Sequence, residues 1–263
     1  MASKGTYYFK SIFTLLAGIR SPWSVAGLVF LRPPKGAVVR LRDGSVFRVR
    51  SLMDLWIVKE TCLDRDYERD LPPLEEDATV MDIGAGLGDF SVCAARNRPR
   101  RKIAAFEPFA ESFRLLEENL KLNGIGNVQA FPFAVGATSG PMLLQTATGV
   151  AVRHSTASAA DPGGAAALPV EGITLEEALR RSGFARCNLL KVDCEGGEYD
   201  ILLNASAEVL QRVDRIAMEY HDGCTPHSHG ELAEFLRERG FSVDLRPNPV
   251  HRHLGFLTAV RTP

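Results

Sequence analysis

The residues best placed to do chemistry begin with Val80-Met81-Asp82-Ile83-Gly84-Ala85-Gly86-Leu87-Gly88-Asp89-Phe90. A short apolar strand runs into a glycine-rich turn and then into a helix. Glycines let backbone approach a ligand closely, and the first turn of the helix offers unpaired N–H groups. The next apolar strand ends at Phe106-Glu107-Pro108, with Glu107 23 residues beyond Gly84. A carboxylate at that place can accept hydrogen bonds from both hydroxyls of a ribose, so the pair points to a bound nucleoside.

The form of the loop narrows the ligand. A dinucleotide pyrophosphate is served by G-x-G-x-x-G, whereas Gly84, Gly86 and Gly88 follow G-x-G-x-G, with Asp82 before them and Asp89 after. Carboxylates on both sides disfavour a pyrophosphate and suit a ligand carrying an ammonium and a sulfonium, as S-adenosylmethionine does. No Tyr-x-x-x-Lys follows, which further disfavours a nicotinamide enzyme.

Parallel sheets bind ligands at the carboxyl ends of their strands. Two more such ends carry polar residues: Asp193-Cys194-Glu195, and Glu219-Tyr220-His221-Asp222. Methyl transfer is an in-line displacement that profits from alignment and from a base near the attacking oxygen. His221 is the expected base, since an imidazole pKa of about 6.5 leaves it largely neutral near pH 7. Asp193 is open to three roles: orienting that base, taking the proton itself, or holding the ligand's ammonium. Glu195 stands beside them as a further acid–base candidate, and Glu198 reads as a carboxylate at a helix start. The competing arrangement is a divalent cation such as Mg²⁺ on Asp193, Glu195, Glu219 and His221, although their spacing matches no strong metal motif.

The elements that must position these groups alternate from Ala78 onward. Apolar strands are expected at Thr79–Ile83, Lys102–Glu107, Val128–Val135, Asn188–Val192 and Arg215–Glu219, with helices between them, notably Glu111–Leu122 and Thr174–Arg181. After a helix over Glu231–Arg239, strands Ser242–Arg246 and Phe256–Val260 are joined by a loop too short for a crossover helix, so they should pair antiparallel. The expectation is an α/β, Rossmann-like fold with a mostly parallel seven-stranded sheet and an antiparallel C-terminal strand. Residues 77–263 form the ligand-binding domain. Residues 1–76 form an N-terminal extension of helices, a β-hairpin over Ala37–Arg50 and a helix over Ser51–Leu63. With Arg42, Asp43 and Gly44 as the hairpin loop, Val39, Leu41, Phe47 and Val49 share one face. The segment Ala147–Leu168, rich in Ala, Gly, Ser and Thr, reads as an irregular insertion, either a flap over the substrate or a surface loop.

These blocks resemble the FkbM family of methyltransferases. The resemblance rests on Met81–Gly88, Ala105–Pro108, Asn119–Gly124, Ala134–Gly136 and above all Leu189-Leu190-Lys191-Val192-Asp193-Cys194-Glu195-Gly196-Gly197-Glu198. It implies a class I methyltransferase that uses S-adenosylmethionine, with a hydroxyl of a secondary metabolite or sugar as acceptor. It also implies that Gly84, Ala85 and Gly86 line the methionine part of the cofactor and that Glu107 holds the ribose. Pro108 or Phe109 would then flank the adenine, Phe133 and Ala134 would close its other side, and Tyr67 would lie near the cofactor mouth. A non-catalytic nucleoside-binding or scaffold protein on the same fold is the alternative of another class.

Composition bounds the rest. A formal net charge of -1 argues against a polyanion as the main partner, so a small molecule is expected rather than nucleic acid. The five cysteines are odd in number and form no CxxC pair, which reads as free thiols in a reducing cytoplasm. Tyr7–Leu31 is apolar but is interrupted by Lys10, Arg20 and Pro22. It is expected to pack on the domain or cap the site rather than span a membrane.

Overall fold

The computed structural model describes residues 4–20, 36–146, 154–155 and 166–262. Helix α1 (Lys4–Gly18) leads to the hairpin β1 (Ala37–Arg40) and β2 (Val46–Val49), helix α2 (Leu52–Val58) and a π-helical turn, Lys59–Leu63. The Ser51 hydroxyl caps α2 by accepting from the N–H of Asp54. Gly44 at φ 91° closes the hairpin, and Val39 faces Phe47 across it. Val39, Leu41, Phe47 and Val49 are fully buried together, as their alternation requires.

The alternating section follows with β3 (Thr79–Ile83), α3 (Asp89–Ala95), β4 (Lys102–Phe106), α4 (Ala110–Leu122) and β5 (Val128–Phe131). A side sheet comes next, built of β6 (Ala134–Gly136), β7 (Gly140–Thr146), β8 (His154–Ser155) and β9 (Ala166–Thr174). The chain then continues through α5 (Leu175–Ser182), β10 (Leu189–Val192), α6 (Glu198–Leu203), α7 (Ala207–Gln211), β11 (Arg215–His221), α8 (His229–Glu238), β12 (Phe241–Pro247) and β13 (Leu254–Arg261).

The main sheet has seven strands in the order β12-β13-β11-β10-β3-β4-β5. All its pairings are parallel except those of β13, which runs antiparallel to both β11 and β12. This is the mostly parallel, Rossmann-like sheet with an antiparallel C-terminal strand that the sequence predicts. One face carries a cluster that includes Met81, Phe106, Tyr199 and Leu236. On the other, Ile19, Val39, Phe47 and Val58 of the N-terminal section join Leu87, Val92, Leu116 and Leu120 in a single cluster. The hairpin therefore completes the core beneath the glycine loop. Buried Asn119 ties the two: its Oδ1 accepts from Arg48 N (2.7 Å) and its Nδ2 donates to Leu87 O (2.8 Å).

Three expectations are corrected. The strand expected over Val128–Val135 breaks at Pro132-Phe133; β5 ends the main sheet, and Ala134–Gly136 pairs instead with β9. Proline has no N–H to continue a ladder, which fits the chain's exit from the sheet there. In the Ala147–Leu168 segment, residues 147–153 and 156–165 lie outside the described residues. His154–Ser155 and Ala166–Leu168 are strand residues paired with β7, not irregular chain. Finally, the cysteines are not all free: Cys62 and Cys93 form a disulfide, while Cys187, Cys194 and Cys224 are thiols. Tertiary packing of the π-helical turn against α3 brings the first two within 6.1 Å, Cα to Cα, across 31 residues of sequence.

Candidate active site at the carboxyl ends of the strands

The glycine loop is drawn tight between β3 and β4. The N–H groups of Gly84 and Ala85 both donate to Phe106 O at 3.0 Å. Gly84 has φ 70°, and a Cβ there would meet Asp193 O at 1.8 Å, so only glycine fits between the ends of β3 and β10. Gly86, at φ 53°, has nothing within 4 Å of the place a Cβ would occupy. One side of the loop is thus pinned by protein, and the other is open to a ligand.

Asp82 is fully buried behind this loop. Its Oδ2 accepts from Ser91 Oγ at 2.7 Å, and Lys191 Nζ lies 3.0 Å from its Oδ1. The same ammonium donates to Gly84 O at 2.8 Å. Asp89 is also buried, and burial pushes its carboxyl up to about 6. Asp82 is matched by a cation from within the chain, so the loop's two flanking aspartates are weaker electrostatic selectors than their sequence positions suggest. Lys191 escaped sequence reasoning as a site residue. The available signal was a charge in the middle of the otherwise apolar run Leu189-Leu190-Lys191-Val192.

Glu107 follows directly on β4, one residue past the observed strand end. Its Oε2 accepts from Gly86 N and its Oε1 from Phe109 N, each at 2.8 Å. Burial raises its carboxyl to about 7 against the lowering effect of those two N–H donors and of Lys191. Each carboxylate oxygen keeps a second lone pair, so the group can still accept two ligand hydroxyls. Pro108 and Phe109 are half-exposed beside it, at the start of α4. Ala134 is buried in β6, while half-buried Phe133 carries the Arg181 guanidinium 4.2 Å over its ring.

The ends of β10 and β11 bring Asp193, Glu219 and His221 together: one ligand-type atom from each lies within 4.8 Å of the others. The buried Tyr67 hydroxyl donates to Asp193 Oδ2 at 2.7 Å, which fixes that carboxylate. His221 is buried, with Nδ1 3.1 Å from Glu198 Oε1 and Nε2 3.6 Å from Glu195 Oε2. Glu198 also accepts from the N–H groups of Cys194 (2.7 Å) and Gly196 (2.9 Å), so one carboxylate closes the loop before α6 and clamps the imidazole.

This overturns the expectation of a neutral His221. Burial alone would lower its pKa, but the hydrogen bond and charge of Glu198, with the charges of Asp193 and Glu219, raise it to about 10. Near pH 7 the ring is an imidazolium and has no lone pair to take a proton. Glu219 moves the other way: burial, reinforced by Asp193, holds its carboxyl well above the ordinary value. Glu60, on the π-helical turn, adds to that field and is itself held by Tyr7 Oη (2.8 Å) and Trp56 Nε1 (2.7 Å). The N-terminal section thus supplies a charged group close to the cleft. His229, the first residue of α8, stacks on Tyr220 at 4.3 Å and holds Asp222 at 2.6 Å.

With this geometry the comparisons with known proteins agree. Residues 82–243 match the model of the methyltransferase FkbM domain. The AMB antimetabolite synthetase AmbE of Pseudomonas aeruginosa is 30% identical over 227 residues, covering 73% of this chain; the chain spans only 11% of that relative. The 31-O-demethyl-FK506 methyltransferase FkbM of Streptomyces tacrolimicus is 25% identical over 248 residues, covering 84% of this chain and 91% of the relative. The crystal structure of methyltransferase FkbM from Methylobacillus flagellatus superimposes with a TM-score of 0.50 at 12% identity, over 97% of this chain and 59% of that one. The match over most of the alternating section, on a seven-stranded sheet of this order, establishes that the chain belongs to the FkbM family of methyltransferases.

Proposed function

We propose that this methyltransferase moves the methyl group of S-adenosylmethionine to a hydroxyl oxygen of a small molecule, a secondary metabolite or a sugar. The observation that carries the reading is the convergence of Asp193, Glu219 and His221 at the strand ends, beside a glycine loop whose Gly86 side is open. A relative named for methylating an oxygen of FK506 supports oxygen as the acceptor atom.

The cofactor supplies a methyl group on a sulfonium, which departs as a neutral thioether. Glu107 would accept from the ribose hydroxyls, while the backbone of Gly84, Ala85 and Gly86 would line the methionine end. Pro108 or Phe109 would flank the adenine, with Phe133 and Ala134 on its other side. The carboxylates of Asp193 and Glu219 suit the cofactor's positive charges, and Tyr67 keeps Asp193 aimed. Asp193 or Glu219, side by side at the strand ends, would take the hydroxyl proton as the oxygen attacks. His221, kept cationic by Glu198, would orient the acceptor oxygen, and Glu195 stands at its Nε2 side.

The same three atoms could instead hold a divalent cation, with Asp193 and Glu219 as oxygen ligands and His221 as the nitrogen ligand. Calorimetric titration with S-adenosylhomocysteine, with NAD as control and with Mg²⁺ or a chelator present, separates these readings. Binding of S-adenosylhomocysteine alone, insensitive to the ion, followed by chelator-resistant methylation of a hydroxyl acceptor, is the expected result. Binding of NAD alone would overturn the cofactor assignment, and loss of turnover in chelator would favour the cation.

A further inference from the structure

Helix α1 carries its apolar residues on the outside. Tyr8, Phe9, Ile12, Phe13 and Leu16 follow a spacing that gathers them on one face, and they are between 44% and 74% exposed. The opposite face is already used: Ser11 is buried and accepts from Lys59 Nζ at 2.8 Å, and Tyr7 reaches Glu60. The outward stripe is therefore left over after the helix has docked on the domain. A contiguous exposed patch of aromatic and aliphatic side chains calls for a partner.

The charge around the stripe says which kind. The first 42 residues contain seven Lys or Arg and no Asp or Glu. The fold gathers part of that charge at one end of the stripe. Arg20 N donates to Arg40 O at 2.8 Å and Arg42 N donates to Gly18 O at 2.8 Å, which sets Arg20, Arg40 and Arg42 side by side where α1 ends. All three are exposed, as is Lys10 on the helix, and none has a carboxylate partner among the described residues. An apolar stripe bordered by unpaired cations matches an anionic lipid surface, with side chains entering the acyl boundary and arginines meeting the headgroups.

We infer that α1 and the tip of the β1–β2 hairpin form a peripheral docking face for an anionic phospholipid bilayer. No described helix is long and apolar enough to cross a membrane, so the contact is one of lying on the surface.

The test is co-sedimentation of the full chain with unilamellar vesicles of phosphatidylcholine, with or without phosphatidylglycerol. Binding should require phosphatidylglycerol and fall as salt is raised to about 1 M. The double variant Phe9→Ser/Phe13→Ser should bind at least about tenfold more weakly, the scale set by withdrawing two aromatic side chains from an apolar phase. Its thermal unfolding should be unchanged, because both side chains are exposed. A wild-type chain that stays in the supernatant with both vesicles would overturn the proposal, as would binding indifferent to lipid charge or to the two substitutions. Analytical ultracentrifugation completes the test: a dimer that the double variant dissociates, with no vesicle binding by the wild type, would assign the face to a second copy of the chain.

Discussion

Glu198 Oε1 lies 3.1 Å from His221 Nδ1, and that contact decides the charge of the site. A histidine at a strand end in a cleft reads as a base. With a buried carboxylate on one nitrogen and Glu195 on the side of the other, its pKa is raised to about 10.

Glu198→Gln should lower the His221 pKa from about 10 by at least about one unit. Because the native ring holds its proton more tightly than the unfolded chain does, its stabilising contribution is full below about pH 6.5 and is lost as pH rises through about 10. The variant should show a weaker fall in stability across that window. An NMR titration of the His221 ring checks the first statement, and denaturant unfolding at several pH values checks the second. A ring that titrates unchanged would break the link.

Glu107→Ala should weaken S-adenosylhomocysteine binding by about 100-fold, the equivalent of two hydrogen bonds to a charged acceptor at roughly 1.5 kcal/mol each. Calorimetry reads this directly. Unaltered affinity would remove Glu107 from the ribose.

Binding should also depend on pH through the same carboxyl. Glu107 has its pKa raised to about 7, so below that value most of the free protein holds a proton there. If the carboxylate is the binding form, affinity falls by up to about tenfold per pH unit below 7, and binding at about pH 6 releases a proton. Titrations in buffers of different ionisation enthalpy detect that release. For stability the sign is the usual one for a raised carboxyl: its contribution is full below about pH 4.5 and is lost as pH rises through about 7.

Lys191→Met should destabilise the fold by about 3–5 kcal/mol, since it strands the carboxylate of Asp82 inside the protein. Adding Asp82→Asn should recover part of the loss by removing the orphaned charge. Denaturant midpoints of the single and double variants measure both effects, and a double variant no more stable than the single one would argue against the pairing.

Reduction of the Cys62–Cys93 disulfide should cost about 3.7 kcal/mol, the loop-closure value for a bridge across 31 residues. Melting curves with and without a reductant, compared with Cys62→Ser, give the size of the effect. Identical curves, with five thiols titratable after unfolding without reductant, would show that the bridge does not form.

What could be read from residues alone was what local chemistry imposes. Apolar runs of strand length and glycines where φ is positive fix the elements wherever the chain folds locally. Thus β3, the Gly84–Gly88 turn, Glu107 at the end of β4, the hairpin face of Val39 and Phe47 and the antiparallel last strands were all legible. The small side sheet was hidden, because the break at Pro132-Phe133 and the short strand β6 give no period long enough to read.

The states of the site residues were not legible, because charge and hydrogen bonding depend on partners far away in sequence. Tyr67 meets Asp193 across 126 positions, Lys191 meets Gly84 across 107, and Cys62 meets Cys93 across 31. Sequence by itself determined where the glycine loop, the carboxylate of Glu107 and the polar strand ends stand along the chain. Only the tertiary structure decided that Asp82 is matched from behind by Lys191 and that His221 is a cation. A residue's type sets which proton it can exchange, whereas the energy of that proton is set by burial and by the charges packed around it.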